Sequence, residues 1–210
     1  MIDNWLSKTK LNKILEKFVK KSFLNKISAN HLTILALVIG LISALFIFLS
    51  GILEWELELI ICAAILMIIS FFLDALDGIL ARLANPTIFG GILDIFSDRT
   101  VEVFIIISLI STNPQKLMWP GIFSLGAIIL CLSMFLLIGG IIKEDDLDET
   151  KKVIYYRHGL MERSETFLFL FFITIFLIFR FLLLWIFAIL VFLTAILRLR
   201  DAHLILKTNS

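Results

Sequence analysis

Asp74-Ala-Leu-Asp77-Gly78-Ile-Leu-Ala81-Arg82, then seven residues, then Gly90-Gly-Ile-Leu-Asp94-Ile-Phe-Ser-Asp98, places four carboxylates between two strongly apolar runs. Charged side chains at or inside membrane segments are costly and mark function. Asp74, Asp77, Gly78 and Ala81 share one helix face by their three-and-four spacing, and Asp94 and Asp98 share a face of a second helix, with Gly90 one turn earlier. Pro86 falls in the connection, which suits a turn. The pattern predicts two antiparallel neighbouring helices, each turning a pair of carboxylates toward a common rim. Four facing carboxylates cannot all stay ionised without countercharge, and Arg82 and Arg99 are too few to supply it compactly. Oxygen-only ligands in this number suit hard divalent cations such as Mg²⁺ or Mn²⁺. Two such ions roughly 4 Å apart form a clamp for phosphoryl chemistry. The competing reading is acids simply paired with arginines across helices. Gly78, Ala81 and Gly90 leave room for a ligand at the backbone and for close helix packing.

Working outward, the 210 residues are 60% apolar, include 20 Phe and have a mean hydropathy of +1.03, while only 18% are charged. A water-soluble globule cannot cover that much apolar surface, and its charged share is nearer a quarter. The chain therefore reads as an all-α integral membrane protein. Disorder, collagen and disulfide scaffolds are excluded, and a net charge of +1 excludes a nucleic-acid binder acting through bulk charge. Cys62 and Cys131 lie in separate apolar runs and read as small buried hydrophobes.

Charges divide the apolar sequence into six runs: 27–53, 59–73, 103–115, 117–142, 166–179 and 181–197. A bilayer core needs roughly 20 helical residues. Two runs reach that length unaided, the acids around 74–102 shorten two others, and Arg180 alone separates the last two, which read as a tight hairpin. Backbone polar groups must be satisfied internally in lipid, so six transmembrane helices are expected. Six spans put both termini on one side, which collects 17 of the 19 basic residues; Lys116 and Arg180 alone fall opposite. That places both termini and the aspartates in the cytoplasm, with Trp55, Trp119 and Trp185 in an aromatic belt at the far interface.

The first 28 residues carry seven lysines against Asp3 and Glu16, a basic stretch too long for a signal peptide. Leu11, Ile14, Leu15, Phe18 and Val19 recur at helical spacing among those lysines. This predicts an amphipathic helix on an anionic cytoplasmic leaflet, or a topology anchor. The expected organisation is a juxtamembrane helix over 1–27, a six-helix membrane domain over 28–203 and a tail over 204–210. The acidic loop within 143–165 reads as a solvated charge run.

All eight residues of Asp74-x2-Asp77-Gly78-x2-Ala81-Arg82…Gly90-x3-Asp94-x3-Asp98 resemble the signature of the CDP-alcohol phosphatidyltransferases. The link between Arg82 and Gly90 is one residue shorter than is usual there, and because Gly90, Asp94 and Asp98 keep their spacing, the deletion falls in the connection. Ala29-Asn30-His31-Leu32-Thr33 is similar to the Pro-Asn-x-x-Thr that opens the family's first span, with Ala for Pro. Gly159-Leu160-Met161-Glu162-Arg163 and Thr194 to Arg198 resemble segments before helix five and at the end of helix six.

The resemblance implies transfer of a phosphatidyl group from a CDP-linked lipid to a small alcohol acceptor, with release of CMP, by a six-helix homodimer with a cytoplasm-facing cavity. It implies two divalent cations on Asp74, Asp77, Asp94 and Asp98, with Asp98 as general base. It implies CDP binding by Asp74, Gly78, Ala81 and Arg82, together with Asn30 and Thr33. Arg157, Arg163 and Arg198 lie near cytoplasmic helix ends and are candidates for a phosphorylated acceptor. Glycerol 3-phosphate is favoured over inositol phosphate because 134–142 lacks arginine. An intramembrane prenyltransferase would draw its acid clusters from separate parts of the chain, without Gly-x2-Ala-Arg after Asp77. A transporter would carry acids near mid-membrane and inverted repeats. His31, His158 and His203 form no ligand spacing, and Glu102 continues the Asp94–Asp98 face by a turn, where it can buttress Arg99.

Overall fold

In lipid no water competes for backbone groups, so a chain this apolar must close its hydrogen bonds within each segment. The computed structural model, which describes residues 10–23, 26–84, 86–141, 161 and 163–207, accordingly contains helices as its only regular elements among those residues. They are α1 (Lys10–Ser22), α2 (Ala29–Ser50), α3 (Glu56–Leu83), α4 (Ile88–Thr112), α5 (Pro114–Ile141), α6 (Arg163–Ile175), a single 3-10 turn (Leu177–Phe179) and α7 (Arg180–Lys207). The six expected apolar runs map onto α2 to α7. Four segments are long and apolar enough to cross a membrane: Ala29–Ser50, Glu56–Leu83, Pro114–Gly140 and Leu177–Leu204. α4 has the length but carries Asp94, Asp98 and Arg99 in its first half and Glu102 just past its middle, and α6 has only 13 residues.

The helix ends follow local chemistry. Ser28 caps α2, accepting from the His31 amide at 3.4 Å, and its hydroxyl lies 2.7 Å from His31 Nδ1, which gives that histidine a structural role. Pro86 ends the α3–α4 link, and Thr87 caps α4 by accepting from the Gly90 amide at 3.0 Å. α6 stops at Ile175 because the buried Arg180 guanidinium takes over its last carbonyls: Nε donates to Ile173 O at 3.3 Å and Nη2 to Thr174 O at 3.0 Å. Nη1 donates to Thr112 Oγ1 at 3.2 Å and stands 4.0 Å from Glu56, so the ends of α4, α6 and α7 and the start of α3 are joined there.

One core, including Ile47, Met67, Ile106, Leu109, Ile128, Ile173, Leu184 and Phe187, draws on α2 to α7. A smaller cluster puts the fully buried Val19 of α1 against Leu32, Leu76, Ile79 and Leu80, while Lys17, Phe18, Lys20 and Lys21 stay exposed. The apolar face of α1 therefore rests at least partly on protein, against the start of α2 and the aspartate-bearing end of α3.

Two expectations need correction. Cys62 is exposed rather than buried, on an α3 surface that also shows Ile61, Ile65 and Ile68. An apolar side chain facing lipid incurs no hydration penalty, so hydrophobicity alone does not place it inside. The second concerns α3 and α4, which are not packed neighbours. Among the described residues they make almost no backbone approach to each other, and α2 lies against both. Gly40 allows this, since a Cβ there would meet Val101 Cγ2 of α4 at 2.6 Å and Ser70 Oγ of α3 at 3.0 Å. Ser43 and Ser70 then fasten α2 to α3, donating to Ala63 O at 2.8 Å and Ala36 O at 2.7 Å. With α2 wedged in as a spacer, carboxylates can stand between α3 and α4 where tight packing would exclude them.

Candidate active site

Across the α3–α4 gap, carboxylate oxygens of Asp74, Asp94 and Asp98 lie within 4.8 Å of one another. The sequence predicts four aspartates together, and the structure brings three. Asp77 is buried one turn along α3 and faces a neighbouring cavity, where its Oδ2 finds no hydrogen-bond partner among the described residues. Arg163, the first residue of α6, enters the trio. Its guanidinium pairs with Asp74, its Nη2 lies 3.2 Å from Asp94 Oδ1, and its Nε lies 2.9 Å from Asp98 Oδ2. One cation facing three carboxylates leaves an acidic excess, and the orphaned Asp77 oxygen adds to it. This oxygen-only donor set fits hard divalent cations.

Cavities open on two sides of the trio. The first, of about 330 Å³, is lined by Asn30 and Thr33 of α2, Asp77, Gly78 and Ala81 of α3, and Gly90 and Asp94 of α4. Gly78 leaves this wall open, because a Cβ there would meet nothing within 4 Å, whereas one on Gly90 would stand 3.1 Å from Asn30 Oδ1. Gly78 of the signature thus makes ligand space, whereas close packing between α2, α3 and α4 depends on Gly40, which lies outside the signature. Arg82 is exposed at the end of α3 and Asp74 faces the trio, so neither lines this cavity.

The second cavity, of about 160 Å³, is bounded by Asp98, Arg99, Cys131, Phe135, Arg163 and Arg198, among others. Arg198 Nη1 donates to Cys131 O at 3.1 Å and its guanidinium lies 5.3 Å from the Phe135 ring centre. Arg99 pairs with the buried Glu102 at 2.6 Å, the buttress its spacing suggests. Arg99 is a wall residue that the sequence reading treats only as countercharge. Its one-residue offset from Asp98 was the signal available. Arg157 and His158 lie outside the described residues, as does most of the acidic loop.

The chain is thus a multi-pass membrane protein, helical throughout the regular elements of its described residues, with a carboxylate cluster set between two polar-edged cavities. Residues 26–196 match the family model for CDP-alcohol phosphatidyltransferase, and the chain belongs to that family of membrane transferases of phospholipid biosynthesis. It is 30% identical over 145 residues to inner membrane protein YnjF of Escherichia coli (strain K12), a match covering 68% of this chain and 66% of that protein's length. Its fold is similar to phosphatidylinositol phosphate synthase PgsA1 of Mycobacterium tuberculosis, solved as a crystal structure with CDP-DAG bound. The TM-score is 0.67 over 93% of this chain and 94% of that one, at 17% identity. At that identity the likeness speaks for the fold alone.

Proposed function

We propose that this chain transfers a phosphatidyl group from a CDP-linked lipid, CDP-diacylglycerol or similar, to a small alcohol, releasing CMP. The observation that carries the reading is the carboxylate trio with a cavity on each side: a nucleotide diphosphate can enter from one side and an alcohol from the other. Asn30, Thr33, Gly78 and Ala81 bind the CDP portion in the larger cavity, with Arg82 and Asp74 at its margins. Asp74, Asp77, Asp94 and Asp98 would hold two divalent cations, Mg²⁺ or Mn²⁺, which when bound neutralise charge on the diphosphate. Asp98, which lines the second cavity, accepts the proton of the acceptor hydroxyl. The acceptor oxygen then bonds to the phosphorus bearing the lipid, and the bond from that phosphorus to the CMP oxygen breaks. CMP carries away the electron pair.

Three arginines around the second cavity support a phosphorylated acceptor. Glycerol 3-phosphate is our choice, with Arg163 and Arg198, and Arg157 from the preceding segment, as its anion-binding groups. The charge distribution supports six crossings made by α2 to α7 within 28–203, with both termini cytoplasmic, α1 within 1–27 against the inner leaflet and 204–210 as a tail; assembly as a homodimer rests on membership of the family alone. CMP release from CDP-diacylglycerol, followed by mass spectrometry across an acceptor panel, tests the activity and the acceptor. No CMP with any alcohol in the presence of Mn²⁺ would remove the reading; turnover with serine or free inositol but not glycerol 3-phosphate would remove the acceptor.

A further inference from the structure

We infer that Arg163 is an internal stand-in for the divalent cations: it holds Asp74, Asp94 and Asp98 together in the metal-free chain, and yields them to metal by turning into the acceptor cavity. The inference rests on the metal reading above and adds a coupling between metal and acceptor that the reading does not contain.

Three observations carry it. Arg163 makes ion pairs with all three members of the trio. It also lines two spaces, the acceptor-side cavity and a small one of about 60 Å³ beside Asp74, Ser97 and Asp98, so the guanidinium stands on the border between carboxylates and acceptor space. Its neighbours in the chain are firmly held, while its own side chain, though paired with the trio, is not sealed off. The Met161 amide donates to Thr194 Oγ1 at 3.1 Å and Ser164 is buried, whereas the Arg163 side chain keeps 30% of its surface open. A guanidinium and a divalent cation on the same oxygens repel each other at contact distance, so they compete. Once displaced, Arg163 joins Arg99 and Arg198, which are already on the acceptor wall. Binding energies between two sites are reciprocal, so metal and an acceptor anion should each tighten the other.

The test uses the full chain purified in detergent, with Mn²⁺ and inorganic phosphate as probes. Arg163→Gln removes the competitor and should tighten Mn²⁺ binding by roughly tenfold, within the ~5- to 150-fold range of such couplings; Arg163→Lys should fall between. Without metal, Arg163→Gln should melt below wild type, and Mn²⁺ should raise its melting temperature by more than it raises wild type. In wild type, Mn²⁺ should tighten phosphate binding, and that gain should vanish in Arg163→Gln. Unchanged or weaker Mn²⁺ binding in a folded Arg163→Gln chain overturns the inference. If that variant does not fold, the same result in Arg163→Lys overturns it. Asp94→Asn separates the two levels: if Mn²⁺ binding survives Asp94→Asn unchanged, the metal reading itself fails. If binding is lost there and Arg163→Gln shows no gain, only the stand-in role fails.

Discussion

Arg163 and Arg180 lie at opposite ends of α6, and both guanidiniums are drawn in among helices, yet they are partnered differently. Arg180 is 5% exposed and donates to two backbone carbonyls and a threonine hydroxyl, with Glu56 at the limit of ion-pair distance. Its hydrogen-bond acceptors are neutral and cannot be delivered elsewhere, so it acts as a fastener. Arg163 faces three carboxylates, borders two cavities and is partly open. Its partners carry charge that another cation can claim. Burial of an arginine does not by itself separate architecture from chemistry; whether its partners can be exchanged does.

That contrast predicts loss of rate at one end of the bundle and loss of stability at the other. The largest effect belongs to Asp98→Asn, which should lower CMP release by roughly a hundred- to ten-thousand-fold while retaining Mn²⁺ binding. Near-normal turnover at saturating Mn²⁺ would refute its role as base. Arg180→Met leaves the α6 carbonyls unserved and should cost about 2–4 kcal/mol of stability in thermal or denaturant unfolding. The activity of the folded fraction should be unchanged; a drop in rate without a drop in stability would erase the distinction between the two arginines. Gly40→Ala forces a methyl onto Val101 and should cost about 1–3 kcal/mol by pushing α2 away from α4. Gly78→Ala meets nothing in its wall and should change stability by less than about 1 kcal/mol, in the favourable direction set by helix propensity. It should still raise KM for CDP-diacylglycerol, and an unaltered KM would argue that the donor does not use this cavity.

Much of the aspartate end was legible in the sequence because its information is local. Three-and-four spacing puts Asp77, Gly78 and Ala81 on one wall, and Asn30 and Thr33 join them from the start of α2. The wedge of α2 between α3 and α4 was not legible, since Gly40, Ser43 and Ser70 have no periodicity that distinguishes a spacer from any other small residue in an apolar helix. Nor was the arrival of Arg163 in the trio, a contact across 69 positions from Asp94 that depends on where α6 begins. Exposure was unreadable for a physical reason: with lipid outside and an apolar core inside, Cys62 and Met67 satisfy the same hydrophobic rule on opposite faces of α3.

The register of the aspartates along their helices also sets a depth. Asp74 lies nine residues short of the end of α3 and Asp98 ten residues past the start of α4. At 1.5 Å per residue Asp74 and Asp98 are met about 14 Å down from the helix tips, and Asp77 and Asp94 about 9 Å down. The 13-residue α6, about 20 Å long, begins at that floor rather than at the mouth. A phosphoryl group drawn down to Asp74 and Asp98 exchanges part of its hydration for fixed charges, which act more strongly on it than they would in bulk water. For a transferase the consequence is chemical selectivity. Water is itself a hydroxyl nucleophile and would turn transfer into hydrolysis, so an acceptor that fills the cavity at Asp98 must also displace water from it.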